Sequence, residues 1–374
     1  MSKLIELPFL QALRKNLSRR HPLIQVVIGP RQVGKTTGIQ LFLSRSSSPY
    51  HYASADGPIT KGADWLFEQW KLAEAKSQNV ILVVDEVQKI ERWSEALKQL
   101  WDEKKSRKFK VIVLGSSSLT IQKGLSESLA GRFQLHKVWP WSFSESKKAY
   151  GLSFQQYLVF CGYPGSYPLI SDRSGWLSYV KESIVDAVIG KDILSQARVK
   201  SPALFRQCFD IICSYPAQEV SYTKLLGQLQ DKGNVDLVKY YIELFEGAFL
   251  VKPLFKFSKR PVLHRSSSPK LLPLCPALYS ATVDADLGPE EEGRAFEIIV
   301  GMALLRKPGR LFYWRDRQAE VDYVYQYGKR QIAIEVKSNA KKTAKGLKKF
   351  EENFPDSETV IVTPDQYESV LDRL

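Results

Sequence analysis

Hydrophobic positions in the first third of the chain come in continuous runs rather than singly. LIQVVIG (23–29), YHYASA (50–55), NVILVVDE (79–86), KVIVLGSSS (110–118) and FQLHKV (133–138) are such runs, separated by stretches with helical spacing. Strands buried on both faces read this way. The pattern therefore predicts an α/β fold, a parallel sheet with helices on both faces, whose ligands bind beyond the C-terminal ends of the strands. The alternation stops near WPWSFSES (139–146), and helical spacing then runs from 150 to 195, broken by the turn CGYPGSYP (161–168).

Further on, helical stretches at 202–214, 221–230 and 234–247 precede the strand-like FLVKPLFKF (249–257). Short helices followed by a β-ribbon predict a winged helix-turn-helix, with the basic KRPVLHRSSSPK (259–270) as its wing or linker. The remainder reads as a helix (290–306), the strands LFYWR, AEVDYVYQY and RQIAIEVKS, a Lys-rich helix (341–353) and a last strand, TVIVT (359–363).

Composition sets limits on partners and compartment. A chain of 374 residues, 44% hydrophobic and 25% charged, forms several folded domains. Lys plus Arg number 54 against 40 for Asp plus Glu, a net charge of +14 that suits a polyanion, nucleic acid before a membrane surface. Basic proteins that bind nothing are also common, so placement of the charge has to decide. The four cysteines form no CxxC pair and the four histidines no spaced ligand set, which argues against structural zinc and a disulfide framework. The N-terminus reads as a short amphipathic helix and no run is long enough to span a bilayer. A cytoplasmic setting without membrane attachment is expected.

The chemistry sits at the strand ends. Gly29, Pro30, Arg31, Gln32, Val33, Gly34, Lys35, Thr36 and Thr37 spell GPRQVGKTT, a full match to GxxxxGK[ST] between a buried strand and a helix. Backbone amides of such a loop cradle phosphates, Lys35 would neutralise the β and γ phosphates of ATP, and Thr36 would ligate Mg²⁺. Asp85 and Glu86 end the next apolar strand; Asp85 is placed to hold Mg²⁺ and Glu86 to polarise the attacking water. Ser116, with Ser117 and Ser118 behind it, tips another strand as a candidate sensor, although serines there are equally ordinary turn residues. Arg132, in LAGRF, suits either a finger reaching a γ phosphate, in its own chain or a neighbour's, or a helix end.

The phrases GPRQVGKTT, VVDEVQKIERW, LGSSSL, LAGRF, WPWSFSE and CGYP, with EVDYV and IEVKS near the end, resemble the bacterial and archaeal AAA-type ATPases that carry a C-terminal DUF4143 region. The resemblance implies a P-loop NTPase domain with nucleotide roles for Lys35, Thr36, Asp85, Glu86, Ser116 and Arg132. It also implies a small α/β C-terminal domain like the PD-(D/E)xK, or restriction-endonuclease-like, nucleases. There Asp322 and Glu335 would hold a second Mg²⁺ or Mn²⁺, Lys337 would orient water and Glu297 would add a ligand; cross-strand salt bridges would use the same residues.

Two basic tracks flank these parts: Lys341, Lys342, Lys345, Lys348 and Lys349 on the C-terminal helix, and Lys252, Lys256, Lys259, Arg260, His264, Arg265 and Lys270 along the wing. Both suit phosphate backbones. The candidate recognition helix NVDLVKYYIELFEGA shows no base-reading set, so little DNA sequence specificity, or docking of a protein instead, is expected. The division expected is an ATPase domain (1–148), a helical connector or lid (149–198), a winged helix (199–265) and a nuclease-like domain (266–374). The function expected is an ATPase coupled to DNA with metal-dependent cleavage, or an ATP-dependent switch or assembly platform with an inactive nuclease-like domain. The acidic pair argues against a small-molecule kinase. Arg132 acting in trans would require a homo-oligomer.

Overall fold

The computed structural model describes residues 4–104, 108–116, 119–229, 233–259, 267–284, 286–317, 319–338 and 345–374. Two compact units divide the chain: Met1–Trp139, Lys148–Tyr150 and Asp186–Arg198 form the first, and Pro140–Lys147, Gly151–Val185 and Val199–Leu374 the second.

In the first unit β1 (Ile24–Gly29), β2 (Tyr50–Ser54), β3 (Ile81–Asp85), β4 (Lys110–Ser116) and β5 (Phe133–Lys137) make one parallel sheet in the order β2-β3-β4-β1-β5. Every residue of β1 and β3 is buried. Side chains alternate between faces along a strand, so both faces of the central sheet are covered. The helices Pro8–Leu17, Lys35–Ser44, Ala63–Lys76 and Trp93–Glu103 supply the cover through buried residues such as Leu13, Ile39, Trp70 and Leu97. Pairing of Gly29 with Ser116 and of Ser54 with Asp85 aligns the polar strand tips along one edge of the sheet.

The second unit contains the helices Pro202–Ser214, Tyr222–Gln228 and Val235–Gly247, each opened by a side-chain cap, from Ser201, Ser221 and Asn234 respectively. With them goes an antiparallel sheet of β6 (Gln218–Glu219), β7 (Val251–Leu254) and β8 (Lys270–Pro273), ordered β6-β8-β7. A second sheet joins β9 (Arg310–Asp316), β10 (Ala319–Tyr327), β11 (Arg330–Val336) and β12 (Glu358–Val362) in the order β12-β11-β10-β9. The pair β11 and β12 is parallel and the others are antiparallel. The helix Pro289–Leu305 precedes this sheet, and the helix Lys345–Asn353 lies between β11 and β12 in the chain.

Two expected boundaries shift. The stretch 149–198 is shared between the units, because Asp186–Arg198 packs with the first. The division after residue 265 falls inside one sheet, because β8 pairs with both β6 and β7. The phrase WPWSFSE turns out to be an anchor within the second unit. Ser142 and Glu145 form a reciprocal helix cap, and Glu145 also takes a 3.0 Å bond from the guanidinium of Arg306, which reaches the carbonyl of Pro140 as well. In CGYP, Gly162 has φ +99° and a Cβ there would collide with Cys275 Sγ, so glycine is needed for backbone and packing alike. No helix among the described residues is long and apolar enough to cross a membrane.

Candidate nucleotide site and a second acidic cluster

The loop after β1 turns through left-handed conformations at Gln32 (φ 61°) and Gly34 (φ 86°), then enters the helix Lys35–Ser44. This geometry directs successive backbone amides into one concavity at a helix N-terminus, a ready anion site. Lys35 is buried, with Nζ donating to the carbonyls of Gly29 at 2.8 Å and Pro30 at 2.7 Å. Burial pulls its ammonium down to about 8, against the attraction of Glu86, Asp192 and Asp85. Among the described residues no carboxylate is ion-paired with it, so its charge is left for an anion.

Asp85, buried at the end of β3, accepts hydrogen bonds on Oδ2 from Thr36 Oγ1 at 2.9 Å and from the Tyr52 hydroxyl at 2.6 Å, and on Oδ1 from the Glu86 amide. One carboxylate touching one hydroxyl beside a phosphate loop is the oxygen donor set Mg²⁺ uses, with phosphates and water filling the rest. Thr36 and Asp85 therefore fit the expected ion. The sequence marks Tyr52 only as part of a strand; β2 lies against β3 with Tyr52 opposite Val83, and that pairing brings its hydroxyl to Asp85.

Glu86 takes a left-handed backbone (φ 54°), and Gln88 Nε2 bridges its Oε2 at 2.5 Å to Ser116 Oγ at 3.0 Å. Gln88 lies within VVDEVQKIERW, but that phrase gives it no role. Its trace there is Gly115, since a Cβ at that position would collide with Gln88 Oε1 and Ile121. Ser116 is buried and also donates to Asp192 Oδ1 at 3.3 Å. Ser117 and Ser118 lie outside the described residues. Arg31 of the loop is held by both oxygens of Asp192, at 2.8 and 2.6 Å.

Arg132 is not brought to this edge. Its carbonyl accepts the Ile24 amide at the start of β1, the far end of the strand from Gly29, and its guanidinium grips Asp102 at 2.7 and 2.9 Å. Strand direction is the reason: a residue that opens β5 sits at the edge opposite the one where β1 ends.

In the second unit, Glu297 and Asp322 lie around a buried lysine, and Glu335 pairs with Lys337. Lys270, 1% exposed, places Nζ 2.6 Å from Glu297 Oε1, 3.7 Å from Asp322 Oδ1 and 3.8 Å from Glu320 Oε1. Burial opposes its charge, yet Glu297, Asp322 and Glu320 together outweigh that and hold the ammonium above its ordinary value. Asp322 sits where the register of β10 against β9 shifts, and its Oδ2 accepts the Val336 amide at 2.7 Å. Lys337 closes on Glu335 at 2.6 Å. Burial pushes Glu297 and Glu335 up to about 7, with repulsion from Asp322 adding to it.

This arrangement does not fit the second Mg²⁺ or Mn²⁺ expected at Asp322 and Glu335. The position facing Glu297 and Asp322 is filled by the Lys270 ammonium, and Lys337 neutralises Glu335 rather than lying ready for water. Among the described residues no group of three or more His, Cys, Asp or Glu is placed to hold a metal. Lys270 also leaves the basic track along the wing, being buried.

Of the remaining track residues, Lys345, Lys348, Lys349 and Lys259 are exposed, while Lys252 pairs with Glu246. Lys341, Lys342, Arg260, His264 and Arg265 lie outside the described residues.

Comparison with known proteins divides the chain into three segments. Residues 21–147 match an AAA domain family (AAA_14), 151–287 a domain of unknown function (DUF8612) and 292–373 another (DUF4143). An uncharacterized protein of Methanocaldococcus jannaschii is 23% identical over 360 residues, covering 89% of this chain and 79% of its own. One of Mycobacterium tuberculosis is 25% identical over 387 residues, covering 94% and 82%. Among solved structures, a Walker-type ATPase of Pyrococcus abyssi superposes with a TM-score of 0.52 at 15% identity, over 75% of this chain and 96% of that one. Sheet order and phosphate loop agree with the similarity of residues 21–147 to the AAA domain family.

Proposed function

We propose that the protein binds MgATP in the loop Gly29 to Thr37, hydrolyses it with Glu86 as base, and couples its nucleotide state to DNA without cutting it. The observation that carries the ATPase reading is the contact of Thr36 with Asp85 at 2.9 Å beside the buried, carboxylate-free Lys35. A magnesium ion at Thr36 and Asp85 would supply charge neutralisation across the phosphates. Backbone amides of the loop receive phosphate oxygens, and the Lys35 ammonium exchanges the Gly29 and Pro30 carbonyls for them. The Glu86 carboxylate takes a proton from water as its oxygen bonds to the terminal phosphorus and the bond from phosphorus to ADP breaks. Gln88 and Ser116 hold Glu86 in line. Glu86→Gln should bind ATP as the native protein does while turnover falls by about 100-fold or more; unchanged turnover removes Glu86 as the base.

The DNA reading rests on the three helices followed by the β6-β8-β7 sheet, which support a winged helix, and on the exposed Lys345, Lys348 and Lys349 beside a nuclease-like strand order. Replacing those three lysines with Gln should flatten the salt dependence of DNA binding by about 0.9 for each phosphate no longer neutralised. A slope that stays put removes the track. Of the two expectations for the C-terminal domain, the Lys270 ammonium favours the inactive one. Arg132, remote from the loop in its own chain, would meet a phosphate only across a homo-oligomer.

A further inference from the structure

We propose that Asp192 is a nucleotide-sensing residue: its carboxylate competes with the terminal phosphate of ATP for Arg31, so that a triphosphate, and not a diphosphate, releases the segment Val188–Leu194. This rests on the ATP site proposed above.

Asp192 lies 161 positions from Arg31 in sequence, on a segment of wide π-type turns that packs with the ATPase unit. Such turns concentrate at functional sites. Its side chain is 2% exposed and engages Arg31 through both oxygens, with Ser116 on one of them. Both partners belong to the edge that faces the phosphates. A continuous polar chain thus runs from Glu86 through Gln88, Ser116 and Asp192 to Arg31. One buried atom of it, Gln88 Oε1, which faces Gly115, has no hydrogen-bond partner.

The charges define a competition. Arg31 belongs to the phosphate loop itself and its guanidinium is committed to Asp192 through both carboxylate oxygens, so a new anion at the loop meets a cation that already has a partner. A terminal phosphate gripped by Lys35 adds negative charge there, attracting Arg31 and repelling Asp192. A diphosphate, one group shorter, does not extend to Arg31. Buried ion pairs contribute little net stability, whereas one whose acidic member can be exchanged for phosphate has a use as a switch. Releasing Asp192 frees Ser116 together with the segment whose chain leads directly into the helix Pro202–Ser214.

Hydrogen exchange and calorimetry test the proposal on the full chain with a non-hydrolysable ATP analogue and with ADP. In the native protein the analogue should speed exchange of amides 188–194 by about tenfold or more, and ADP should leave it unchanged. Asp192→Asn should bind the analogue about tenfold more tightly, with ADP affinity moved less than twofold. Equal exchange with both nucleotides, or an equal shift in both affinities, overturns the proposal. If the native protein binds neither nucleotide, the ATP-site reading itself fails. The native exchange experiment decides even if Asp192→Asn does not fold.

Discussion

Among the described residues two lysines are buried, and their surroundings give them opposite uses. Lys35 has carbonyl dipoles for company, and its ammonium is pulled down to about 8 by burial. Lys270 has three carboxylates within 3.8 Å and is held above its ordinary value despite complete burial. An ammonium with no carboxylate in ion-pair contact is a standing invitation to phosphate; one already neutralised serves the fold. A buried lysine is thus informative about ligands only once its anions have been counted. His136 shows a third outcome: burial pushes it down to about 4, so it sits neutral against Gln25 at 2.7 Å.

The contrast can be broken most forcefully at Lys270. Lys270→Ala strands Glu297 and Asp322 without their cation and should destabilise the second unit by about 3–5 kcal/mol in denaturant titration, with ATP affinity unchanged. The double change Lys270→Met with Glu297→Gln should recover much of that loss; failure to recover would mean that Lys270 acts through packing rather than charge. Lys35→Ala should do the reverse, weakening ATP by about 100-fold or more, ~2.7 kcal/mol, without lowering the melting temperature.

For His136 the folded value lies below the unfolded one, so its stabilisation is present above pH 6.5 and is lost as pH falls towards 4. Unfolding of the native protein should cost about 2 kcal/mol less at pH 5 than at pH 7 from this group, and His136→Gln should remove that slope. The smallest effect belongs to Tyr52→Phe. It deprives Asp85 of one donor and should weaken Mg²⁺-dependent ATP binding, read by calorimetry, by about 1 kcal/mol.

The phosphate-loop domain is readable in the sequence because its strands are buried on both faces and its loop chemistry is contiguous. Asp85 and Glu86 end one apolar run, Lys35 and Thr36 close the loop that follows another, and the structure gathers them at one edge. Arg132 directly precedes FQLHKV, and in a parallel sheet the residue before a strand lies at the edge opposite the phosphate loop. Tyr52, Gln88 and Asp192 are out of reach because each acts through a partner on another element, in the last case 161 residues away. Lys270 joins the wing on charge alone. A contrary sign is present in KLLP, where all four positions are buried, since a lysine inside such a strand must find anions indoors. The expected second metal fails for the same reason, because Glu297, Asp322, Glu335 and Lys337 carry no trace in sequence of the cation that a distant strand delivers to them.

The chain passes between its two compact units at residues 139, 147, 150, 185 and 198. A protease nick after residue 139 would leave residues 1–139 holding Asp186–Arg198 by packing alone. Truncation after residue 148 would strip the ATPase unit of Asp192, so a fragment ending there would keep its phosphate loop but forfeit the latch on Arg31.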